Sequence, residues 1–431
     1  AGSGHPTSSL SAVELITALF FGEIFKKGDH FVLSKGHAAP LLYSIFHTAG
    51  LISEEELLTL RKFGSNLEGH PTPRNPYIEV ATGSLGQGLS IGFGLALGLK
   101  KLESDRKVYV LMGDSEFSEG QNYEALQLAS FYKCNNLVAI LDVNRLGQRG
   151  ETMLGWNIQE YKKRVEAFNW KVYLIDDGND LSKVQKIFSQ ALKNKTSNPT
   201  MIIAKTVKGK GISIFENKER WHSKTLDEKQ LQEGLKEIGE VDINLEHKVP
   251  FSKNLPNKTI SPKSEIIVNY SLGQSVPTRE GYGDAITALG KYQDIVALDA
   301  EVSNSTYSYK FAEENPNSFF EMFIAEQNMI STALGLSKSG FIPFVSTFSV
   351  FLTRAFDQIR MAQYSNPNLK LVGSYSGVYT GADGATQMGL EDIAMMRSIL
   401  KSVVFYASDA VSTAKITEIM AQNDGLFYLR I

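Results

Sequence analysis

The stretch that most constrains this chain is residues 107–149, KVYVLMGDSEFSEGQNYEALQLASFYKCNNLVAILDVNRLGQR. It reads as one βαβ unit: an apolar, β-branched run over 108–112, a helix over 121–132 and a second apolar run over 137–143. Strands joined through a helix run parallel, and the carboxyl ends of neighbouring parallel strands open into one crevice where ligands bind. Asp114 follows the first strand and Asn144 the second, so two oxygen donors far apart in sequence are expected to meet. With the carbonyl of Leu146 they form a hard oxygen set suited to Mg²⁺ or Ca²⁺. Such an ion usually also holds phosphate oxygens, and a helix starting near Gly120 presents free N–H groups to that anion. A metal-bridged diphosphate is therefore the expected ligand. Either residue alone is also what an ordinary strand-end turn uses; the pair at βαβ spacing carries the argument.

Length bounds the rest. A chain of 431 residues exceeds one ordinary domain and suggests two or three, and 42% hydrophobic with 21% charged residues is the balance of a soluble globular protein. A formal net charge of −3 gives no electrostatic reason to expect nucleic acid or an anionic membrane surface as partner. No apolar run approaches the ~18 residues of a membrane span. The single cysteine, Cys134, excludes an internal disulfide framework and fits a reducing, cytoplasmic setting, with the thiol as a small buried hydrophobe.

Along the chain, polar clusters keep falling at strand ends. The start, AGSGHPTSSLSAVELITALFF, has no charged n-region or cleavage motif and is not read as a signal peptide. His5 and Pro6 precede a helix whose Leu10, Val13, Ile16 and Leu19 share one face. A short strand over 31–33 runs through Ser34, Gly36 and His37 into another helix, and His70 sits between Gly and Pro where no regular helix can form. TGSLGQG (82–88) is a glycine-rich turn feeding a helix, able to bring backbone close to a phosphate or simply to pack a helix on a sheet. A helix (161–168), strand (171–175), helix (181–192) and strand (200–206) complete a doubly wound α/β domain over 1–226, with Lys208 just past its last strand and His222 in a polar loop.

Residues 227–275, charged, poor in aromatics and carrying Pro250, Pro256 and Pro262, read as a helix followed by an interdomain linker. A second α/β domain is expected over 276–431: a helix (281–292) leads into a strand (295–298), after which come Asp299, Glu301 and Ser305, and the alternation repeats. The fold class is thus α/β, two doubly wound domains with mainly parallel sheets. The apolar run 426–431 reads as an edge strand, an odd place for a whole enzyme to stop, and suggests a truncation.

At this point the motifs resemble the transketolase family. GDS (113–115) followed by Asn144 looks like the thiamine diphosphate fingerprint, with Ser115 where the usual pattern has Gly. SGHP (3–6), FVLSKGHA (31–38), EGHPTPR (68–74), TGSLGQG (82–88) and ERWHSKTL (219–226) are transketolase-like in order and spacing. So are IAEQNMI (324–330), STFSVFLTRAFDQIRMA (346–362) and GADGATQMGLEDIAMMR (381–397), so that the resemblance covers nearly the whole chain.

The resemblance implies two thiamine diphosphate-binding domains, the first holding diphosphate and metal, the second gripping the aminopyrimidine ring of a cofactor in the partner subunit, hence a homodimer with sites at the interface. Glu326 matches the glutamate that hydrogen-bonds the pyrimidine and lets the thiazolium carbon lose its proton, making the cofactor nucleophile and electron sink. Phe348 and Phe351 match ring-stacking aromatics, although their spacing also fits a plain core face. Gly83, Leu85, Gly113, Asp114, Ser115, Asn144, Lys208 and Glu301 match cofactor-side positions, Asp114, Asn144 and Leu146 the metal ligands, and Glu119 a residue that pairs across the dimer. His5, His37, His70 and His222 match active-site histidines, whose imidazoles, titrating near neutrality, move protons on sugar hydroxyls. Arg279, Ser305 and Arg430 would hold substrate phosphate, Asp383 would read the donor's hydroxyl configuration, and Gln387 stands where members have His or Gln.

The implied reaction moves a two-carbon ketol unit from a ketose phosphate to an aldose phosphate, as in the pentose phosphate pathway. Two departures stand out. Tyr375 occupies the position of a usual His near the acceptor phosphate, which bears on acceptor choice. The family's third domain has no counterpart here; a separate subunit supplying it, an enzyme working without it and a fragment are the three readings. The rival functions are another ketol-forming enzyme, such as deoxyxylulose-phosphate synthase or dihydroxyacetone synthase, and a non-catalytic transketolase-like subunit. ERWHSKTL and AEQNMI argue against the first, and retention of Asp114, Asn144, Glu326 and four histidines against the second.

Overall fold

The 107–149 stretch folds as strand, helix and strand: β2 (Val108–Gly113), the helix Gly120–Phe131 and β3 (Leu137–Val143), following β1 (His30–Leu33). The computed structural model describes residues 1–193, 196–242, 245–254, 256–259, 266 and 268–431. By internal contacts the chain divides into two units, Ala1–Asn254 and Leu255–Ile431. The first is completed by β4 (Lys171–Ile175) and β5 (Thr200–Lys205), and its sheet runs β1-β2-β3-β5-β4 with every pairing parallel. All residues of β2 and β3 are buried, as expected of strands covered on both faces, which is why these runs show no polar alternation.

The helix Gly88–Lys101 crosses this sheet at very close range. A Cβ on Gly92 would come within 2.4 Å of Val110 Cγ2, so the glycine is a packing requirement here. The N-terminal helix expected as one piece is two, Pro6–Leu10 and Val13–Phe21, and the break falls where the Ser11 hydroxyl turns inward to donate to Asp142 at 2.6 Å. Cys134 is buried and unpaired, and burial pushes its thiol up to about 12.

Of the segment 227–275, Asp227 caps the amphipathic helix Glu228–Ile238 with a reciprocal capping box to Gln230. Further on, His247 N–H donates to the Thr48 carbonyl and Phe251 packs its ring on Phe20 and Phe46, so this stretch belongs to the first unit's core. Residues 243–244, 255, 260–265 and 267, Pro262 among them, lie outside the described residues.

The second unit contains β6 (Ile295–Asp299), β7 (Phe319–Glu321), β8 (Ile342–Phe348), β9 (Lys370–Ser374), β10 (Val403–Tyr406) and β11 (Phe427–Arg430). Its sheet runs β10-β11-β9-β8-β6-β7, again all parallel, around a core including Tyr282, Phe344, Val372, Met420 and Leu429. The last strand corrects the sequence expectation: β11 is no edge strand but lies between β9 and β10, and all four of its residues are buried. No helix among the described residues is long and apolar enough to cross a membrane.

Candidate active site

Four segments bring their histidines to one place at the carboxyl ends of the first sheet. His5 precedes the first helix, His37 lies in the turn after β1, His70 in the loop before the glycine-rich turn, and His222 in the polar loop beyond β5. The ring centroid of His5 is 5.2 Å from that of His37, 6.2 Å from His70 and 5.1 Å from His222, and His37 and His222 are 4.9 Å apart. Gly83, at φ +144°, passes beside this cluster, where a Cβ would sit 3.1 Å from the His70 ring. Leu85, two residues on, is 39% exposed.

The environment keeps these rings neutral. Burial, then the charges of His70, Arg61 and Lys208, lowers His5 to about 4; burial, then Lys208, His5 and Lys35, lowers His222 to about 3. His37 falls well below its ordinary value for want of water and because of Lys35, and His70 is lowered by burial and Arg61. The expectation of titration near neutrality is therefore corrected: desolvation and nearby cations lower all four imidazoles below their ordinary value. His5 Nδ1 is buried with no hydrogen-bond partner among the described residues, a polar atom left over inside the cluster.

Next to the histidines is the strand-end pair. Asp114, 4% exposed, accepts from the Ser115 N–H at 2.8 Å and the Arg145 N–H at 2.6 Å. Burial, then the charge of Asp142, pushes its carboxyl up to about 6. Asn144 Oδ1 accepts from the Leu146 N–H at 3.2 Å while its Nδ2 donates to Asp142 at 3.2 Å. The Asp114 to Arg145 bond ties the carboxylate to the Asn144–Leu146 turn, so the three residues named as metal ligands are gathered. Among the described residues no three His, Cys, Asp or Glu side chains converge on a metal position; what stands together here is a carboxylate, an amide and the carbonyl of their turn. A buried carboxylate raised by a second carboxylate is a group that a divalent cation would relieve, and hard oxygen donors fit Mg²⁺ or Ca²⁺.

Lys208, 3% exposed, stands over this turn. Its Nζ donates to the Leu146 carbonyl at 2.5 Å and to His222 Nδ1 at 2.8 Å, which places the His222 proton on Nε2. Burial, then the charge of Lys35, lowers Lys208 to about 8. A buried ammonium that, among the described residues, hydrogen-bonds a carbonyl and an imidazole but no carboxylate suits a diphosphate, although it occupies the carbonyl that a metal would share. Gly113 ends β2 and donates its N–H to Glu116 at 3.1 Å, Ser115 is exposed beside it, and Glu119 is exposed at the start of the helix Gly120–Phe131.

In the second unit Glu326 opens the helix Glu326–Lys338, 2% exposed, and accepts from Arg354 at 2.7 Å. Phe348, at the end of β8, stacks on Phe351 with centroids 5.1 Å apart and planes 10° off parallel, and on Tyr375 at 4.5 Å. Tyr375, at φ +53°, lies under the Arg279 guanidinium, 4.8 Å from its ring centre, and its hydroxyl accepts from Arg279. Arg279 also reaches the Ser305 carbonyl at 3.5 Å, so Phe348, Phe351, Tyr375, Arg279 and Ser305 form one connected group. Arg430 is engaged elsewhere, donating to Asp392 at 2.8 Å and the Gly389 carbonyl at 3.1 Å, with Tyr406 against its guanidinium. Glu301 is exposed in a left-handed turn after β6; Asp383 is exposed and Gln387 half-buried on the loop beyond Tyr375.

Several participants escaped the sequence reading. Lys35 and Asp142, 1% and 0% exposed, pair at 2.5 Å beneath Asn144, and Glu116 accepts from Ser34 and from the Gly86 N–H. A charge inside the apolar run LVAILDV was the available signal for Asp142, since a buried carboxylate requires a partner. Arg354 gave no such signal, because its pairing with a residue 28 positions away exists only in the fold.

A chain built of two all-parallel α/β units, with polar and titratable groups gathered at carboxyl strand ends and a match to a thiamine diphosphate-binding domain in its first unit, is of the thiamine diphosphate-binding enzyme class. Residues 1–252 match the profile "Transketolase, thiamine diphosphate binding domain" and 274–431 the profile "Transketolase, pyrimidine binding domain". The chain belongs to the transketolase family, which is one of transferases. It is 45% identical to the human transketolase over 445 residues, covering all of this chain and 70% of that one, and 46% identical to the bovine transketolase-like protein 2 with the same coverage. The Campylobacter jejuni transketolase superposes over the whole chain and 75% of its own at a TM-score of 0.87 and 26% identity. A Pichia stipitis transketolase superposes over the whole chain and 74% of its own at 0.88 and 21%, a likeness of fold.

Proposed function

We propose that this chain is a transketolase that moves a two-carbon ketol unit from a ketose phosphate to an aldose phosphate, using thiamine diphosphate with Mg²⁺ or Ca²⁺, as a cytoplasmic homodimer. What supports the reading above all is the cluster of four neutral histidines beside a strand-end carboxylate and amide, in a chain of this family. Asp114, Asn144 and the Leu146 carbonyl would hold the metal; Lys208, the Gly83 backbone and the Gly113–Ser115 turn would hold diphosphate, with Leu85 and Glu301 beside the cofactor and Glu119 at the dimer contact. Phe348 and Phe351 would face the pyrimidine ring and Glu326 its nitrogen. When bound, thiamine diphosphate supplies a nucleophilic carbon and an electron sink for breaking and remaking the bond beside the ketose carbonyl.

The protein's own part is binding and proton transfer. His222 presents Nε2–H as a donor to a sugar oxygen, because Lys208 occupies Nδ1. His5 Nδ1, without a partner, is the atom able to accept from a sugar hydroxyl, with His37 and His70 completing the ring of donors and acceptors. Diphosphate and sugar phosphate bring negative charge close to these rings, which raises their affinity for protons just when substrate is present. Arg279, with Ser305 and Tyr375, offers the substrate phosphate a fixed guanidinium. Arg430, its charge already shared with Asp392, would add a weaker contact, and Asp383 and Gln387 would read donor hydroxyls.

The test is donor choice: with cofactor and metal, xylulose 5-phosphate should be turned over and pyruvate should not. Turnover of pyruvate would point to a deoxyxylulose-phosphate synthase, and absence of thiamine diphosphate uptake in calorimetry would end the reading. A second expectation concerns Tyr375. Tyr375→His removes the phenol that accepts from Arg279 and the ring beneath it, so the KM for an aldose phosphate should change several-fold while that for unphosphorylated glycolaldehyde stays put. An unaltered acceptor profile would remove Tyr375 from the phosphate site.

A further inference from the structure

Glu326 has its two oxygens in different situations. Oε2 accepts from Arg354 Nη1 at 2.7 Å, while no described residue hydrogen-bonds Oε1. The Glu326 side chain is 3% exposed and that of Arg354 53%, so the arginine gives a buried carboxylate its countercharge while its own head stays largely in water. Arg354 sits in the short helical turn Phe351–Ala355, whose first residue stacks on Phe348. The turn that carries an aromatic for the ring face thus also carries the group that holds the carboxylate.

We propose that Arg354 is the positioning residue for Glu326, tying down Oε2 so that Oε1 is presented to the ring nitrogen of the cofactor; this rests on the functional reading above. The terminal torsion of a glutamate is soft, and a carboxylate with no fixed oxygen swings over a broad range. A charge-assisted hydrogen bond to one oxygen sets the plane of the other. The geometry requires an arginine or lysine head at this place and assigns Arg354 no contact with substrate.

The experiment is a calorimetric titration of thiamine diphosphate with Mg²⁺ into the full chain for the parent, Arg354→Gln, Arg354→Lys, Glu326→Gln and the double variant Glu326→Gln/Arg354→Gln. Arg354→Gln is expected to weaken uptake about tenfold, the low end for a charged hydrogen bond because one partner is solvated. Arg354→Lys should recover most of that loss. In the Glu326→Gln background, Arg354→Gln should have almost no further effect, since its role acts through the carboxylate. Unchanged affinity in Arg354→Gln, or an equal loss in both backgrounds, overturns the proposal. Failure of the parent itself to take up cofactor would overturn the functional reading instead, and the two failures are told apart by that one titration.

Discussion

Glu326→Ala is expected to keep the fold and to cut ketol transfer by about a hundred- to a thousandfold, the loss typical of removing one preorganised polar contact that acts at the reacting state. The fold survives because of where the residue sits. Glu326 begins its helix, alanine is at home there, and Arg354 is left with a side chain 53% exposed, so no buried charge is stranded. On the proposed reading the activity falls because the residue's work would be chemical: its carboxylate, held by Arg354 in the unit that carries the stacked aromatics, would meet the ring nitrogen of the cofactor. Steady-state transfer from xylulose 5-phosphate, with a melting curve on the same sample, checks both halves. Parent-like turnover in the variant would strip Glu326 of its assigned role, and a collapsed melting transition would make it structural.

What the sequence disclosed and what it hid follow from the range of the interactions involved. β2, β3 and the helix between them were legible because their patterns are local: short apolar runs rich in β-branched residues, six or seven positions long and alternating with a helix, suit strands covered on both faces of a parallel sheet. The histidines could be singled out one by one, yet only the fold places His5 5.1 Å from His222, 217 positions later. Their protonation was misjudged for the same reason, since it depends on burial and on Lys35, Lys208 and Arg61 arriving from other segments. β11 was misplaced because an apolar run shows that a strand is buried on its faces but not which strands flank it. Arg430 was assigned to substrate phosphate through the resemblance, and the structure adds what no local pattern holds, an aspartate 38 positions away on the same guanidinium.

The largest effect on stability is expected from Lys35→Met, which should cost about 3–5 kcal/mol and lower the melting temperature by roughly ten degrees. Methionine replaces the lysine stem well, so the loss is electrostatic: Asp142, 0% exposed, would keep hydrogen bonds from Ser11, Thr206 and Asn144 but lose its only cation among the described residues. In the parent, burial pushes the Asp142 carboxyl up, and the Lys35 charge with these hydrogen bonds outweighs that and holds it below its ordinary value. Its contribution is therefore present above the unfolded carboxylate range and lost as pH falls through the folded value. In the variant burial wins, the acid is raised, and protonating it relieves the folded state, so the deficit against the parent should be full near neutrality and shrink on acidification. Adding Asp142→Asn to Lys35→Met should recover much of the loss, whereas Asp142→Asn alone strands a buried ammonium and should cost a similar amount. Urea unfolding of the four chains at neutral and mildly acidic pH decides it, and a double variant no more stable than Lys35→Met would show that the buried charge is not the cause. The pair also reaches the site above it. Asn144 Nδ2 donates to Asp142, which turns the amide oxygen toward the Leu146 turn where the metal would bind, so the double variant should regain stability before it regains parental cofactor affinity.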